Sequence, residues 1–497
     1  MNALFYILLT FIILLLQSVQ HKHRAMSLLG VIHSAGMLLI TTILVITPDT
    51  WAENSPLFLI DHLNLLMMLI TGVIFTCASV YAVGYIDGLI QTGELDRRSL
   101  RIFYIGFSLL LLATIMAFSS PDIARFWIFA ELTTVFSALL VAILAVKDRI
   151  DASLKYIFVC STSMLFSFIG IIFFFELTRM ATGTGSLEWN TILALAKTGD
   201  SGMLGVACIF FFIGCAAKSG IVPLHTWLPE AHAKAPSAVS AVLSGAILNI
   251  GLYGIVRMAG ILHATSIVNQ ISLLLIMFGL VSMSVACLSM LRQKSMKKII
   301  AFSSIENMGF MVLAIGIGTP LALFWMLFHM IGHSLIKASL FFSAGIIHRQ
   351  YHTATFGEED HIGDLFRLQP FATISFIIGC VAIVGTPLFP LFLSKIGILL
   401  IAGAMSLYLP LVILILFAIA AVALFRYILS IMGQEFEESA EDAISKAPKP
   451  YLTPTWMKAP VVFLLLIAVI LGIMMIPGEE EFLLAAVSDA GFLAEGL

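Results

Sequence analysis

Two combinations of a glutamate and a lysine recur in a chain that is otherwise almost continuously apolar. Glu131 is followed by Lys218, and Glu306 is followed by Lys395, at separations of 87 and 89 residues. An ionised side chain at the centre of a bilayer costs roughly 2.5 to 3.5 kcal/mol, so it is retained where it pairs or carries ions. The matched spacing therefore indicates two copies of one ion-handling unit.

Helix-breaking residues accompany both lysines. They are Gly214, Gly220 and Pro223 around the first lysine, and Gly385, Pro387 and Pro390 before the second. We expect a broken helix at each place, because unwound turns free backbone groups to meet water or a moving ion. Two purely structural ion pairs are the competing interpretation, and they explain the repeated breaks less well.

A glutamate near a lysine favours the protonated lysine, and removal of the carboxylate favours the loss of that proton. At ~8 Å and an effective dielectric near 20, the interaction is about 2 kcal/mol. Movement of either side chain is therefore sufficient to change the proton affinity of the site.

A row of titratable side chains lies between the two pairs in sequence. His329, His333 and Lys337 occur at i, i+4 and i+8 and share one face of a helix. Histidine accepts and donates protons near neutral pH, so this row favours a proton wire with intervening waters. A metal or haem site on the two histidines and an ordinary hydrogen-bonded core remain alternatives.

A polar cluster follows the first lysine in KSGIVPLHTWLPEAHAKAPSAVSAV. It contains His225, Glu230, His232 and Lys234. We predict a cytoplasmic entry for protons here. The alternative is that tryptophan and prolines simply anchor and terminate the segment at the membrane interface.

The composition excludes a soluble multidomain protein. The 497 residues are 60% hydrophobic and 11% charged, which predicts an all-α polytopic membrane protein with about fourteen transmembrane helices. The predicted spans are 2–20, 26–47, 61–86, 102–119, 121–146, 154–180, 202–229, 236–262, 267–291, 299–317, 320–347, 371–403, 408–432 and 459–477. The net charge of −3 gives no indication of nucleic-acid binding.

Charge distribution predicts the orientation. Alternate loops hold 18 of the 26 lysines and arginines, Lys297 among them, which places that side in the cytoplasm and both termini on the opposite side. Helix five, with Glu131, then runs inward, and helix ten, with Glu306, runs outward, as in inverted repeats of ion transporters. We predict N-terminal helices in 1–101, a first five-helix repeat in 102–262, a second, inverted one in 263–433, and a cytoplasmic linker, a helix and a short tail in 434–497.

Cofactor motifs are not expected in this chain. The six cysteines fall inside apolar spans and form neither CxxC nor CxxCH, which argues against iron–sulfur and c-type haem sites.

Several longer stretches resemble the antiporter-like, proton-translocating membrane subunits of respiratory complex I, group 4 membrane-bound hydrogenases and multisubunit cation/proton antiporters. They are FWIFAELTT, KSGIVPLHTWLPEAHAKAPSAVSAVLSG, KIIAFSSIENMGFM, HSLIKASLFFSAGIIH and PLFPLFLSKIGIL, within residues 60–430. The SSIE stretch is similar to the component F type of hydrogenase-4 and formate hydrogenlyase complexes. Three positions depart from the family patterns: Asn249 on helix eight, Asn307 after SSIE, and Lys395 where the hydrogenase type often has glutamate.

The resemblance implies roles for named residues. Glu131 would be the helix-five glutamate, Lys218 the helix-seven lysine, Lys337 the connecting lysine of helix eleven, and Lys395 the terminal ionisable group of broken helix twelve. Asn249 leaves the connection between the first lysine and helix eleven to other groups, such as water.

The resemblance also implies a proton-translocating subunit of a redox-driven complex in the prokaryotic cytoplasmic membrane. Its partners would be other membrane subunits and a cytoplasmic redox arm that carries iron–sulfur clusters and, in some complexes, a NiFe centre. Three alternatives remain: a sodium/proton antiporter or ion-coupled uptake subunit, a haem- or quinone-binding electron carrier using His329 and His333, and a proton-inactive scaffold.

Overall fold

The computed structural model describes residues 4–47, 58–144, 147–197, 201–351, 365–432, 450–474 and 476–492. Within these ranges the chain is helical, and the only β-type pairing among them is an isolated bridge between Asp122 and Glu188. The all-α prediction is confirmed. Most of the predicted linker after residue 433 lies outside the described residues.

The helices are numbered in chain order. They are α1 (Leu4–Val19), α2 (His23–Ile46), α3 (His62–Gln91), α4 (Arg97–Phe118), α5 (Ile123–Val141), α6 (Lys147–Thr182), α7 (Trp189–Ala196), α8 (Ser201–Lys218), α9 (Trp227–Lys234), α10 (Ser237–Val242), α11 (Leu248–His263), α12 (Val268–Met290), α13 (Met296–Ile317), α14 (Pro320–Tyr351), α15 (Leu365–Leu368), α16 (Pro370–Val384), α17 (Pro390–Met405), α18 (Tyr408–Met432), α19 (Thr455–Ile473) and α20 (Glu479–Asp489). A five-residue π-helix, Leu243–Ile247, joins α10 to α11.

The chain is a multi-pass membrane protein. Among the described residues, eleven helices are long and apolar enough to cross a membrane, and α1, α8, α16 and α17 are shorter apolar helices. About fourteen crossings, their sidedness and the two inverted repeats stay predictions.

The helices that carry the chemistry lie at the centre. The continuous helical segment 237–263 and helices α13 and α14 are almost completely enclosed by protein, whereas α18 and α19 expose much of their apolar surface. Helix α14 packs against α13, α16, α17 and α19, and also against α10 and α3. Side chains on α14 therefore meet groups from many parts of the bundle.

Both predicted helix breaks are present. Helix α8 ends at Lys218, a turn with Gly220 at φ 71° follows, and the short helix α9 begins at Trp227. Helix α16 ends before Gly385 at φ 91°, and α17 begins at Pro390. Glycine adopts this left-handed conformation without the steric cost that a Cβ atom would bring, so the chain can turn sharply at both lysines.

The last described helix is held by polar contacts to two earlier helices. The guanidinium of Arg257 on α11 forms an ion pair with Asp61 and donates to the carbonyl oxygen of Asp489, 2.8 Å away. The Asp489 carboxylate in turn lies 2.8 Å from Nδ1 of His62. These contacts attach α20 to the beginning of α3 and to α11.

Candidate functional site

The first lysine is buried at the end of α8. Its Nζ atom donates to the carbonyl oxygen of Ala130 and to Oγ1 of Thr134, 2.6 Å away. Both acceptors belong to α5, so the break in α8 and the middle of α5 are joined through Lys218. The indole of Trp227 donates to the carbonyl oxygen of Ala217 at 2.9 Å and satisfies one carbonyl that the break frees.

The predicted ion pair between Glu131 and Lys218 is wrong as a direct contact. Glu131 accepts a hydrogen bond from Oγ of Ser161 on α6 and is only partly buried. Within the described residues Lys218 has no carboxylate at salt-bridge distance, because α5 presents the carbonyl of Ala130 and the hydroxyl of Thr134 to it. Glu131 still acts electrostatically on Lys218 without contacting it.

The second pair is confirmed. Nζ of Lys395 lies 3.9 Å from Oε1 of Glu306, and both side chains are more than 90% buried. The ammonium also donates to the carbonyl oxygens of Val384 at 3.0 Å and Ile383 at 3.3 Å, the freed end of α16. It lies 4.1 Å from the ring centre of Phe417. The helix break thus supplies ligands for the charge.

A chain of hydrogen bonds surrounds this pair. Asn307 donates to Oε2 of Glu306 at 2.5 Å, and its Oδ1 atom lies 3.0 Å from Nε2 of His329. Nδ1 of His329 lies 2.8 Å from Oγ of Ser394, the residue before Lys395. All the side chains that form these hydrogen bonds are buried. Glutamate, amide, imidazole and hydroxyl therefore form a connected polar path around the ion pair.

Lys337 extends the row toward the other end of α14. Its Nζ atom donates to the carbonyl oxygen of Ile300 at 2.7 Å and to the hydroxyl of Ser303. His333 lies between His329 and Lys337 and is fully buried, yet neither ring nitrogen has a hydrogen-bond partner within the described residues. Buried polar groups are generally paired, so an imidazole in this position indicates ordered water at its two nitrogens.

Asn249 connects α11 to the row on α14. Its Nδ2 atom donates to the carbonyl oxygen of Gly245 and to Oγ of Ser334, both at 3.1 Å. Ser244 and Ser304 form a second cross-connection at 2.9 Å. The π-helix lies directly before Asn249, and such single turns often occur at functional sites. The amide of Asn249 thus contacts Ser334, the residue next to His333, although α11 has no titratable group at this position.

His232 does not lie in an exposed entry. It is fully buried and stacks on Phe341 with ring centres 4.7 Å apart. Lys337 and Lys297 both act on it electrostatically. Lys297 was predicted as a cytoplasmic loop charge, but it is buried and donates to the carbonyl oxygen of Ala235 at 2.9 Å. Helix α13 begins at Met296, so Lys297 lies in its first turn, and its ammonium reaches the end of α9.

The remaining members of the cluster lie nearer the surface. His225 is partly exposed in the turn before α9. Lys234 pairs with Asp148 at 3.1 Å, and Glu230 pairs with Lys298 at 2.9 Å. The predicted cluster therefore divides into a surface layer of ion pairs and one buried histidine.

The histidine row does not fit a metal site. Both ring nitrogens of His329 are already engaged by Asn307 and Ser394, which leaves none for a metal. Within the described residues, no group of three or more histidine, cysteine, aspartate or glutamate side chains could hold a metal ion.

Sequence reasoning missed the uncharged members of the row. Asn307 was noted only as a departure, and the residues that complete the row are Ser303, Ser334 and Ser394. Adjacency to Glu306, His333 and Lys395 was the available signal. It is a weak signal, because neighbours in a helix point in different directions.

Proteins with similar sequences are membrane subunits of one family. The profile of the family described as "NADH:quinone oxidoreductase/Mrp antiporter, TM" matches residues 120–423. The hydrogenase-4 component F homolog of Methylacidiphilum infernorum is 33% identical over 408 residues, which cover 82% of this chain and 84% of the relative. NAD(P)H-quinone oxidoreductase chain 4 1 of Synechococcus sp. is 29% identical, over 84% of this chain and 76% of the relative.

A solved structure has the same fold. A chain of the membrane-bound sulfane sulfur reductase, an archaeal respiratory membrane complex, superposes with a TM-score of 0.83 over 99% of this chain and 98% of that chain, at 24% sequence identity.

Proposed function

The chain belongs to the NADH:quinone oxidoreductase/Mrp antiporter transmembrane family, and on this premise we propose that it is a proton-translocating membrane subunit of a multisubunit, redox-driven complex. One observation carries the proposal. Buried polar groups lie at both helix breaks: Lys218 bonds to α5 at one break, and a row of groups along α14, joined by Asn249 through Ser334, accompanies Lys395 at the other. Burying so many polar and ionisable groups in a membrane protein is costly, and proton transfer explains the cost.

The Glu306–Lys395 pair supplies a switch for proton affinity. At 3.9 Å and an effective dielectric near 20, the attraction is about 4 kcal/mol. Separation of the two charges would therefore change the affinity of Lys395 for its proton by about a thousandfold. Gly385 and the turn after it give the break the freedom to move, and the carbonyls of α16 hold the ammonium when the carboxylate is neutral.

Protons enter, in this proposal, near His225 and Lys234 and reach the row through His232. The imidazole of His232 is buried and feels the charge of Lys337, and its two nitrogens, which have no partner among the described residues, provide positions for water. From Lys337, the route follows His333 and His329 to Glu306 and Lys395. The first half uses Lys218, together with the partly buried Glu131.

The energy must come from partner subunits. Moving one charge against 100 mV costs about 2.3 kcal/mol, which electron transfer in partner subunits would supply. We assign this role to a cytoplasmic redox arm with iron–sulfur clusters and, in some complexes, a NiFe centre. Further membrane subunits would connect the arm to this chain in a prokaryotic cytoplasmic membrane, with both termini on the non-cytoplasmic side.

The decisive test is proton flux in proteoliposomes that contain the purified complex, with electron transfer measured separately. Lys218→Met and Lys395→Met each remove one buried charge, and we expect proton flux per electron transferred to fall at least several-fold. Lys294→Met is the control, because this lysine is exposed. Normal flux in assembled Lys218→Met and Lys395→Met complexes would refute the proposal.

A sodium/proton antiporter subunit is the second candidate. The partly buried Glu131 has no lysine in direct contact, and its Oε2 atom has no hydrogen-bond partner in the described residues. Carboxylate and hydroxyl oxygens are the ligands that hard cations prefer. Proton flux that requires sodium and is abolished by Glu131→Gln would favour this function, whereas flux of equal rate in sodium-free buffer would exclude it.

A further inference from the structure

A groove with basic residues at one end lies between α4 and α5, on the outer surface of the bundle. It encloses about 680 Å³ and is lined mainly by Arg98, Arg101, Ile105, Leu109, Phe136 and Leu139. The two arginines lie at the beginning of α4, and the remaining side chains are apolar. The groove therefore has a charged end and a hydrophobic body.

The arginines can accept an anion. Arg98 is exposed and makes no hydrogen bond or ion pair within the described residues, and Asp96 acts electrostatically on it. The Asp96 carboxylate caps α4 by accepting from the backbone N–H of Ser99 at 2.7 Å. Arg101 uses one terminal nitrogen for Nδ1 of His21 at 2.8 Å and the carbonyl oxygen of Gln20 at 3.5 Å. A guanidinium has five N–H donors, so others remain available.

The length of the groove fits one leaflet of a bilayer. From Arg98 to Leu109 the axis of α4 rises about 16 Å. Half of the hydrocarbon thickness is about 15 Å. Gly106 lines the middle of the groove, where α4 packs closely on α5: a Cβ atom there would lie 3.3 Å from Cδ2 of Leu140. An acyl chain whose headgroup is at the arginines would reach the level of Leu109.

The exposed face of α5 continues the same surface. Leu139 is 45% exposed and Val135 is 48% exposed. Large apolar side chains with this exposure are suited to contact with lipid. The basic loops predict that the arginine end faces the cytoplasm, where anionic lipids attract Lys and Arg near the membrane surface.

We propose that the α4–α5 groove is a binding site for one anionic phospholipid of the cytoplasmic leaflet, with its phosphate between Arg98 and Arg101 and an acyl chain along Ile105 and Leu109. This site is separate from the polar row around Lys218 and Lys395. It does not depend on the proposed function.

The test uses phosphatidylglycerol with a photoreactive acyl chain, in nanodiscs that contain the purified complex. Illumination is expected to label peptides of α4 and α5, and excess phosphatidylglycerol should compete far better than phosphatidylcholine. The double variant Arg98→Gln/Arg101→Gln should lower labelling about tenfold. Arg292→Gln/Lys294→Gln removes the same charge from two exposed cytoplasmic residues and should leave labelling unchanged.

A second variant separates the lipid from a free anion. Ile105→Trp fills the apolar part of the groove and keeps both arginines, so it should lower labelling, and inorganic phosphate should not compete. Equal competition by phosphatidylcholine, or unchanged labelling in the arginine variant, would show ordinary boundary lipid and overturn the proposal. Cross-linking of the groove to a partner subunit in place of the lipid would also overturn it.

Discussion

Lys395 lies 3.9 Å from Glu306 and at the same time holds the open end of α16 through two carbonyl oxygens. The charge is thus shared between a carboxylate that can change protonation and a backbone that cannot. Lys218 has only the second kind of contact, to the carbonyl oxygen of Ala130 and a threonine hydroxyl. The two lysine sites are therefore related in sequence but different in their immediate chemistry.

Glu306→Gln should destabilise the protein and reduce proton flux. The substitution leaves Lys395 buried without its counter-charge, which typically costs about 3–5 kcal/mol of unfolding free energy. Adding Lys395→Met should restore much of that stability, because no unpaired charge remains, but it should not restore flux. Thermal unfolding and proteoliposome assays measure the two effects. Recovery of flux in the double variant would show that the pair has only a structural role.

Glu131→Gln should change stability much less than Glu306→Gln. Glu131 is only partly buried, and its hydrogen bond comes from the hydroxyl of Ser161, which the amide oxygen of glutamine can also accept. A neutral hydrogen bond contributes about 1 kcal/mol. Proton flux should nevertheless fall, since glutamine cannot carry a proton. A loss of stability as large as that of Glu306→Gln would contradict this assignment.

Asn249→Leu and Ser334→Ala should each slow proton flux while the complex remains assembled. Each removes one end of the hydrogen bond that links α11 to α14 next to His333. The loss of a polar group beside the histidine interrupts the path for water in the middle of the row. Ser108→Ala is a matched control. It removes a buried hydroxyl of α4 that donates to Gln17 on α1, and neither residue belongs to the row. The comparison is made at equal rates of electron transfer.

Gly385→Ala should impair proton flux beyond its effect on stability. Gly385 has φ 91°, and a Cβ atom would lie 2.9 Å from Cδ of Lys395. Gly318 is the matched control, since it has φ 75° but no neighbouring atom closer than 3.6 Å. Both alanines should cost about 1–2 kcal/mol through backbone strain. Only Gly385→Ala should displace Lys395 and slow proton flux. Equal flux defects in Gly385→Ala and Gly318→Ala would show that the contact between residue 385 and Lys395 has no special role.

The sequence by itself determined the membrane class and the ionisable residues of the row. Hydrophobic composition and helix length predict an all-α bundle, because a bilayer accepts few other structures. Lysines inside apolar spans are conspicuous for the same reason, so Lys218, Lys337 and Lys395 could be singled out. Glycine and proline next to two of them predicted both helix breaks, since these residues change the backbone wherever they occur.

Only the tertiary structure decided which of these groups meet. Equal spacing suggested two equivalent ion pairs, yet Lys395 contacts Glu306 and Lys218 does not contact Glu131. The direction of a side chain depends on how a helix is rotated against its neighbours, and apolar sequences on all sides do not encode that rotation. Asn307, Ser394 and Ser334 contribute for the same reason. Small polar residues occur on many helix faces, and only packing brings Asn307 and Ser394 to His329, and Ser334 to Asn249.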